Sequence, residues 1–317
     1  MQRKVRLSGI QWALLSALLV EVIAFSVSSP AFLTWANEME ILRFSVELGL
    51  LVVALTPILI SGGIDLSVGS TIGLVAVTFG LAWQNLHLSV VTSAALALLI
   101  AALCGILNAA LIAYFNLPAL IITLGTYSLY RGVAEGITHV SISVTGYPTG
   151  FLRLGQGYLW SIPIQLFVFV LFIAFYGVLL HRSKVGRALY AIGLNPEGAR
   201  YAGLPVKRYL ALVYLLSGIV SGVAAIIYVA HLGLAKSDLG TGFELQAITA
   251  IVIGGTSVFG GRGDVFGSVL GLLFLCVLQN GLHLLALPSE ATGVLTGALL
   301  ILVVASDLLT DRFHSFL

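Results

Sequence analysis

The chain has 317 residues, of which 59% are hydrophobic and 9% charged, with a net charge of +2 and a mean hydropathy of +1.08. A soluble globular domain carries about 25% charged residues, so a water-soluble fold is excluded and a membrane protein is expected. The small positive balance sits in short loops rather than on one face, which excludes a nucleic-acid partner.

A bilayer span needs about 20 mostly apolar residues. Ten candidate spans follow in order: 10–29, 41–60, 66–83, 88–115, 118–133, 160–180, 209–231, 246–260, 264–286 and 289–306. The expected fold is an all-α, polytopic transmembrane helical bundle, one transmembrane domain over 1–317 with a long loop at 181–208. The first span follows Arg3, Lys4 and Arg6 but carries Glu21 and no small-x-small cleavage site, so it reads as a retained span rather than a signal peptide. The fourth span is long enough to tilt or to extend beyond the bilayer. The fifth and eighth are short, as broken or re-entrant helices are; such backbone is tolerated only where protein buries it or where it lines a cavity. Cys104 and Cys276 lie in apolar runs and read as small buried hydrophobes.

Orientation follows from Lys and Arg, which concentrate in cytoplasmic loops. The N-terminal segment and the loop 181–208 together hold nine of the fifteen basic residues. Six spans separate them, so one side suits both, and both termini are expected in the cytoplasm, as are Arg262 and Arg312. The loops near 30–40, 134–159 and 232–245 then face outward. Lys236, Asp238, Phe243 and Glu244 would border the outer mouth, and the long loop 134–159, with Tyr147-Pro148, would form an irregular cap.

The loop 181–208 is the most informative segment. Asn195 before Pro196 is a helix start: a short side chain that accepts a bond from the first turn, then the residue pre-set for the first helical position. Glu197 suits the positive end of the helix. Gly203 followed by Pro205 is a stop. A two-turn helix over about 196–202 is predicted. A loop that only joins two spans is much shorter, so this one is expected to present Asn195, Pro196, Glu197, Ala199, Arg200 and Gly203 to a cytoplasmic partner; the bland reading is a solvated basic loop that sets topology.

Two glycine-rich interruptions stand out. Ser61-Gly62-Gly63-Ile64-Asp65-Leu66-Ser67-Val68-Gly69-Ser70 precedes the third span, and Gly254-Gly255-Thr256-Ser257-Val258-Phe259-Gly260-Gly261-Arg262-Gly263-Asp264 precedes the ninth. Each is either a hinge with backbone lining a conduit or a tight turn whose glycines permit close packing. Gly62, Gly63, Asp65, Ser67, Gly254 and Gly255 are the candidates, with Asp65 expected to cap the following helix. The stretch 62–70 resembles 260–268, as internal repeats in transporters do. Asn108, Gln279, Asn280 and His283 lie on spans and either bond between helices or face the conduit. Glu21 is expected to face protein, because a charge at bilayer depth is costly.

No G-x-x-x-x-G-K-[ST] and no H-E-x-x-H occurs, and no metal-ligand spacing is present. No cofactor, metal or catalytic residue is expected, and ATP that drives this protein would bind another subunit.

Several strings in order then carry a resemblance: Gly63-Ile64-Asp65-Leu66-Ser67-Val68-Gly69-Ser70, Leu117-Pro118-Ala119-Leu120-Ile121-Ile122-Thr123-Leu124-Gly125-Thr126, Gly240-Thr241-Gly242-Phe243-Glu244-Leu245, Gly254-Gly255-Thr256-Ser257, Gly260-Gly261-Arg262-Gly263 and Gln279-Asn280-Gly281-Leu282. Nearly the whole chain resembles the ribose-type permeases of bacterial ABC sugar importers. Within that family, 61–74 and 235–240 look most like a permease subunit of an autoinducer-2 importer. The resemblance implies an inner-membrane permease, a second permease subunit (identical or not), a cytoplasmic ATP-binding subunit, a periplasmic solute-binding protein and surrounding lipid. It implies a coupling helix at Asn195 to Gly203 and alternating access for a small sugar-like molecule. The competing class, an ion- or proton-driven secondary transporter, would show buried carboxylates or histidines along a proton path, for which Glu21 alone is thin support. A membrane scaffold would not need the glycine breaks.

Overall fold

The computed structural model describes residues 9–138, 143–288, 293–302 and 305. Arg3, Lys4, Arg6 and Arg312, and parts of the tenth expected span, lie outside the described residues. The chain is helical almost throughout: α1 (Gly9–Ser28), α2 (Trp35–Ile60), α3 (Val68–Gln84), α4 (Val90–Ala109), α5 (Ala119–Thr138), α6 (Thr149–Gln156), α7 (Ile164–Arg182), α8 (Lys184–Leu194), α9 (Pro196–Tyr201), α10 (Val206–Leu232), α11 (Phe243–Ile253), α12 (Val265–Leu284) and α13 (Gly293–Leu302). A small antiparallel hairpin, Tyr158–Leu159 with Ile162–Pro163, precedes α7. Among the described residues, six helices are long and apolar enough to cross a bilayer.

The bundle is built around α2, whose apolar window is 83% buried. It packs against α10, α11, α12 and α7. Apolar side chains gain little from meeting each other in lipid, so close backbone approach through small residues carries helix association there. The α4–α10 contact shows this. Gly218 and Gly222 of α10 face Ala101 and Gly105 of α4, and a Cβ on Gly218 would stand 2.6 Å from the Ala101 carbonyl oxygen. The rim helices α1, α4, α5 and α7 turn Leu, Ile, Val and Phe outward, the surface that lipid requires. Glu21 on α1 is half-buried, with one carboxylate oxygen shut away from the surface.

Three expected elements differ in the structure. The fifth span is not broken: α5 runs continuously for 20 residues, and its Thr side chains bond back to carbonyls one turn earlier. The fourth span ends in a π-helical turn, Ala110–Tyr114, which accounts for its length. The eighth starts three residues earlier and ends sooner, as the 11-residue α11. At about 1.5 Å per residue α11 reaches about 16 Å, roughly half of a hydrocarbon core of about 30 Å. The cap over 134–159 contains helix α6, and Tyr147 is buried beneath it, its ring 5.5 Å from that of Phe79.

Candidate functional site

The segment between α7 and α10 folds as its residues dictate. The Asn195 side chain accepts from the Gly198 amide at 2.8 Å, and Pro196 opens α9. At the other end Gly203 takes φ +82°, where L side chains are strained. The Gly203 and Leu204 amides donate back to the Arg200 and Ala199 carbonyls, a paired closure that satisfies the free carbonyls of the last turn. Ala199 is the buried residue of α9, fixed in a cluster with Ile192 and Val206. Leu194 and Tyr201 are 72% and 90% exposed on either side of it, with Glu197 and Arg200 also exposed. A concavity lined by Tyr114, Arg200, Leu204, Lys207 and Arg208 adjoins this surface.

One residue separates α8 from α9, and α8 is seated on the bundle. The Tyr190 hydroxyl donates to the Gly263 carbonyl at 2.7 Å. Burial, with the Asp264 carboxylate nearby, pushes that phenol up to about 12, so it remains a donor at neutral pH.

The chain also leaves its helices twice inside the bundle. At the first break, Gly62 and Gly63 close α2 by donating to the Leu59 and Ile58 carbonyls. Asp65 is buried, and its Oδ1 accepts from the Ser67 amide at 3.0 Å and the Ser67 hydroxyl at 2.7 Å. The Ser217 hydroxyl of α10 donates to Oδ2 at 2.9 Å, and the Asn108 amide of α4 donates to the Ser67 hydroxyl at 2.8 Å. The free Ile64 carbonyl accepts from Tyr214 and Thr123, each at 3.4 Å. Asp65 therefore does not cap the first turn of α3 as expected; it ties the break to α10, and through Ser67 to α4. Asn108 and Asn280 both bond between elements: Asn280 and Asn37 exchange amide bonds at 2.8 and 2.9 Å, joining α12 to the start of α2. Gln279 donates to Gln246 at 3.4 Å, and His283 is exposed.

The second break, 233–242, falls in the loop expected to face outward, and it runs along α3. Ala235 lies beside Gly80, the Ser237 carbonyl beside Gly73 and the Gly240 carbonyl beside Gly69, so the glycine face of α3 admits bare backbone. Ala235, Ser237, Leu239 and Glu244 are buried, whereas Lys236 and Asp238 pair at 2.8 Å on the surface. Arg131 of α5 donates to the carbonyls of Ser237, Leu239 and Gly69, so one guanidinium joins the second break to the first turn of α3. Backbone at bilayer depth must find such partners. Arg131 was missed in the sequence, although a lone Arg in a predicted span is a sufficient signal. Also missed was Asp65-Leu66-x-x-Gly69 recurring as Asp238-Leu239-x-x-Gly242, which marks the two breaks as counterparts.

The second glycine turn, after α11, differs again. Gly255, at φ +90°, closes α11 as Gly62 closes α2, with the Gly255 and Thr256 amides on the Val252 and Ile251 carbonyls. Gly254 lies against the Gly267 backbone of α12, and Asp264 caps α12 by accepting from the Gly267 amide at 2.7 Å.

A bundle of long helices, a half-length helix and two interior breaks satisfied by protein define a membrane transport protein. Residues 38–304 match the family described as branched-chain amino acid transport system, permease component. The chain belongs to this family of ABC importer permeases and is an integral protein of the inner membrane. It is 37% identical over 315 residues, 96% of this chain and 93% of the relative, to the autoinducer 2 import system permease protein LsrD of Photorhabdus laumondii. It is 38% identical over 316 residues to the LsrD proteins of Yersinia enterocolitica and Yersinia pseudotuberculosis, covering 96% of this chain and 94% and 93% of theirs. No solved structure matches. A permease component of an ABC importer works with an ATP-binding subunit and a solute-binding protein.

Proposed function

We propose that this chain forms part of the translocation path for autoinducer 2, a small sugar-like molecule, and that α9 is the coupling helix on which the ATP-binding subunit docks. The extent of the similarity to the LsrD proteins supports the substrate. The observation that carries the docking reading is a short helix, capped at both ends and anchored by Ala199, that holds Tyr201 out into solvent beside the exposed Leu194 at the end of α8. A large apolar surface held outside a membrane bundle is a partner's surface. In this reading the loop 181–208 is cytoplasmic, and the chain hydrolyses no ATP itself.

The opposite end, with the hairpin at 158–163 and the Lys236–Asp238 pair, faces the solute-binding protein. The conduit forms against a second permease subunit along the outward face of α5. Ile121, Leu124 and Leu129 are exposed there, and Gly125, Gly132 and Gly136 meet nothing within 4 Å. Lipid covers the remaining apolar rim.

Charge reversal at an interface rim places like charges together or removes a pairing. Glu197→Lys is expected to lower the ATP-binding subunit that co-purifies by about tenfold, and autoinducer 2 uptake with it, at unchanged membrane insertion. Unchanged docking and uptake would reject the assignment of α9. Ala199→Glu tests the anchor instead of the contact surface, because that side chain is buried.

A further inference from the structure

Two glycine-bearing turns meet the last turn of α8, just before α9. The last-turn carbonyl of Ile60 in α2 has no partner within its own helix; it accepts the Gly261 amide at 2.8 Å, from the turn between α11 and α12. Gly193, near the end of α8, lies against that same pair. A Cβ at Gly193 would overlap the Ile60 carbonyl oxygen and the Gly261 amide. A Cβ at Gly260 would stand 2.8 Å from the Gly62 amide and 3.1 Å from the Gly193 Cα. Tyr190, one turn earlier on α8, holds the Gly263 carbonyl of the same turn. Backbone thus touches backbone among three segments, with no flexible side chain between them to absorb a displacement.

The two turns that Gly193 touches lead to the first interior break and to the half-length helix. One is the end of α2, which opens the first interior break; the other starts α12 and ends the half-helix α11. Gly193 is two residues before the Asn195 cap of α9. We infer that Gly193 is a positioning residue for transport: it seats the α8–α9 unit on the paired turns at Ile60 and Gly261, so that a push on α9 displaces both turns together. This rests on the docking reading of α9.

The test uses the complete importer in proteoliposomes, with autoinducer 2 as the transported probe and ATP hydrolysis measured alongside. Coupling between two sites typically changes a response by about 5- to 150-fold. Gly193→Ala is expected to keep the ATP-binding subunit bound and hydrolysing while uptake per ATP hydrolysed falls about tenfold. Tyr190→Phe, which keeps the ring and removes only the bond to Gly263, is expected to shift the same ratio in the same direction by a smaller factor. A residue that merely supports folding would lower the amount of complex and leave the ratio of uptake to hydrolysis unchanged. If Gly193→Ala fails to insert, Tyr190→Phe decides the question. An unchanged ratio in every variant that assembles overturns the inference. Loss of ATPase binding in Gly193→Ala also overturns it, since the residue would then act in docking. Failure of the unaltered chain to bind any ATP-binding subunit overturns instead the reading of α9.

Discussion

The two interior breaks share a sequence pattern and solve the same problem with opposite chemistry. At 61–67 the Asp of the shared D-L-x-x-G turns inward, and Asp65 gathers Ser67, Ser217 and, through Ser67, Asn108. At 233–242 the matching Asp238 faces out to Lys236, and the carbonyls are served by Arg131 from α5. The first break is therefore tied chiefly to α4 and α10, with Thr123 of α5 adding one bond to its Ile64 carbonyl. The second hangs from α5, a helix with one face uncovered. Backbone freed from a helix needs partners, but the partners' origin decides which element moves with it. The first break is held by side chains of the helices beside it, and the second by Arg131 of α5 and by the Val144 backbone paired with Ala235.

Three substitutions sharpen that contrast. Asp65→Ala removes an acceptor shared by three buried donors and is expected to have the largest effect. A hydrogen bond is worth about 0.5–1.5 kcal/mol net, and each buried donor left unpaired costs about 1–3 kcal/mol, so a loss of about 4 kcal/mol is expected, read as a lower unfolding midpoint of the detergent-solubilised protein. Arg131→Leu should cost about 2 kcal/mol and should free 233–242 specifically, seen as faster hydrogen exchange there than at 61–67. Equal exchange in both breaks would dissolve the distinction. Asp238→Ala, at the matching position, removes an exposed pair and should change stability by about 0.5 kcal/mol or less. A large loss there would mean that the second break is held from its own loop.

The sequence was most readable where local chemistry decides the structure. Asn195-Pro196 and Gly203 set the limits of α9 because caps act within one turn, and long apolar runs gave the order of the helices. It was least readable where the partner is distant. Asp65 looked like a cap for α3, but its third partner, Ser217, lies 152 positions away. The loop at 232–245 was placed outside by span counting alone, which says nothing of how deeply it packs. Its burial depends on the bare face of α3 made by Gly69, Gly73 and Gly80, which no local pattern announces. The likeness of 62–70 to 260–268 marked two turns that touch, Gly260 against Gly62, whereas the match of break to break lay in Asp65-Leu66 and Asp238-Leu239. Arg131 was overlooked in the fifth expected span, 118–133, whose carbonyl partners lie 62 to 108 positions away.

The account depends on the side of the membrane on which α9 stands. Glu197→Cys places a thiol on its exposed face, and the native thiols Cys104 and Cys276 are buried. A membrane-impermeant maleimide is predicted to label this thiol in inverted membrane vesicles, and to be blocked when the ATP-binding subunit is present. Labelling from the periplasmic side of intact spheroplasts would contradict the docking function of α9 outright.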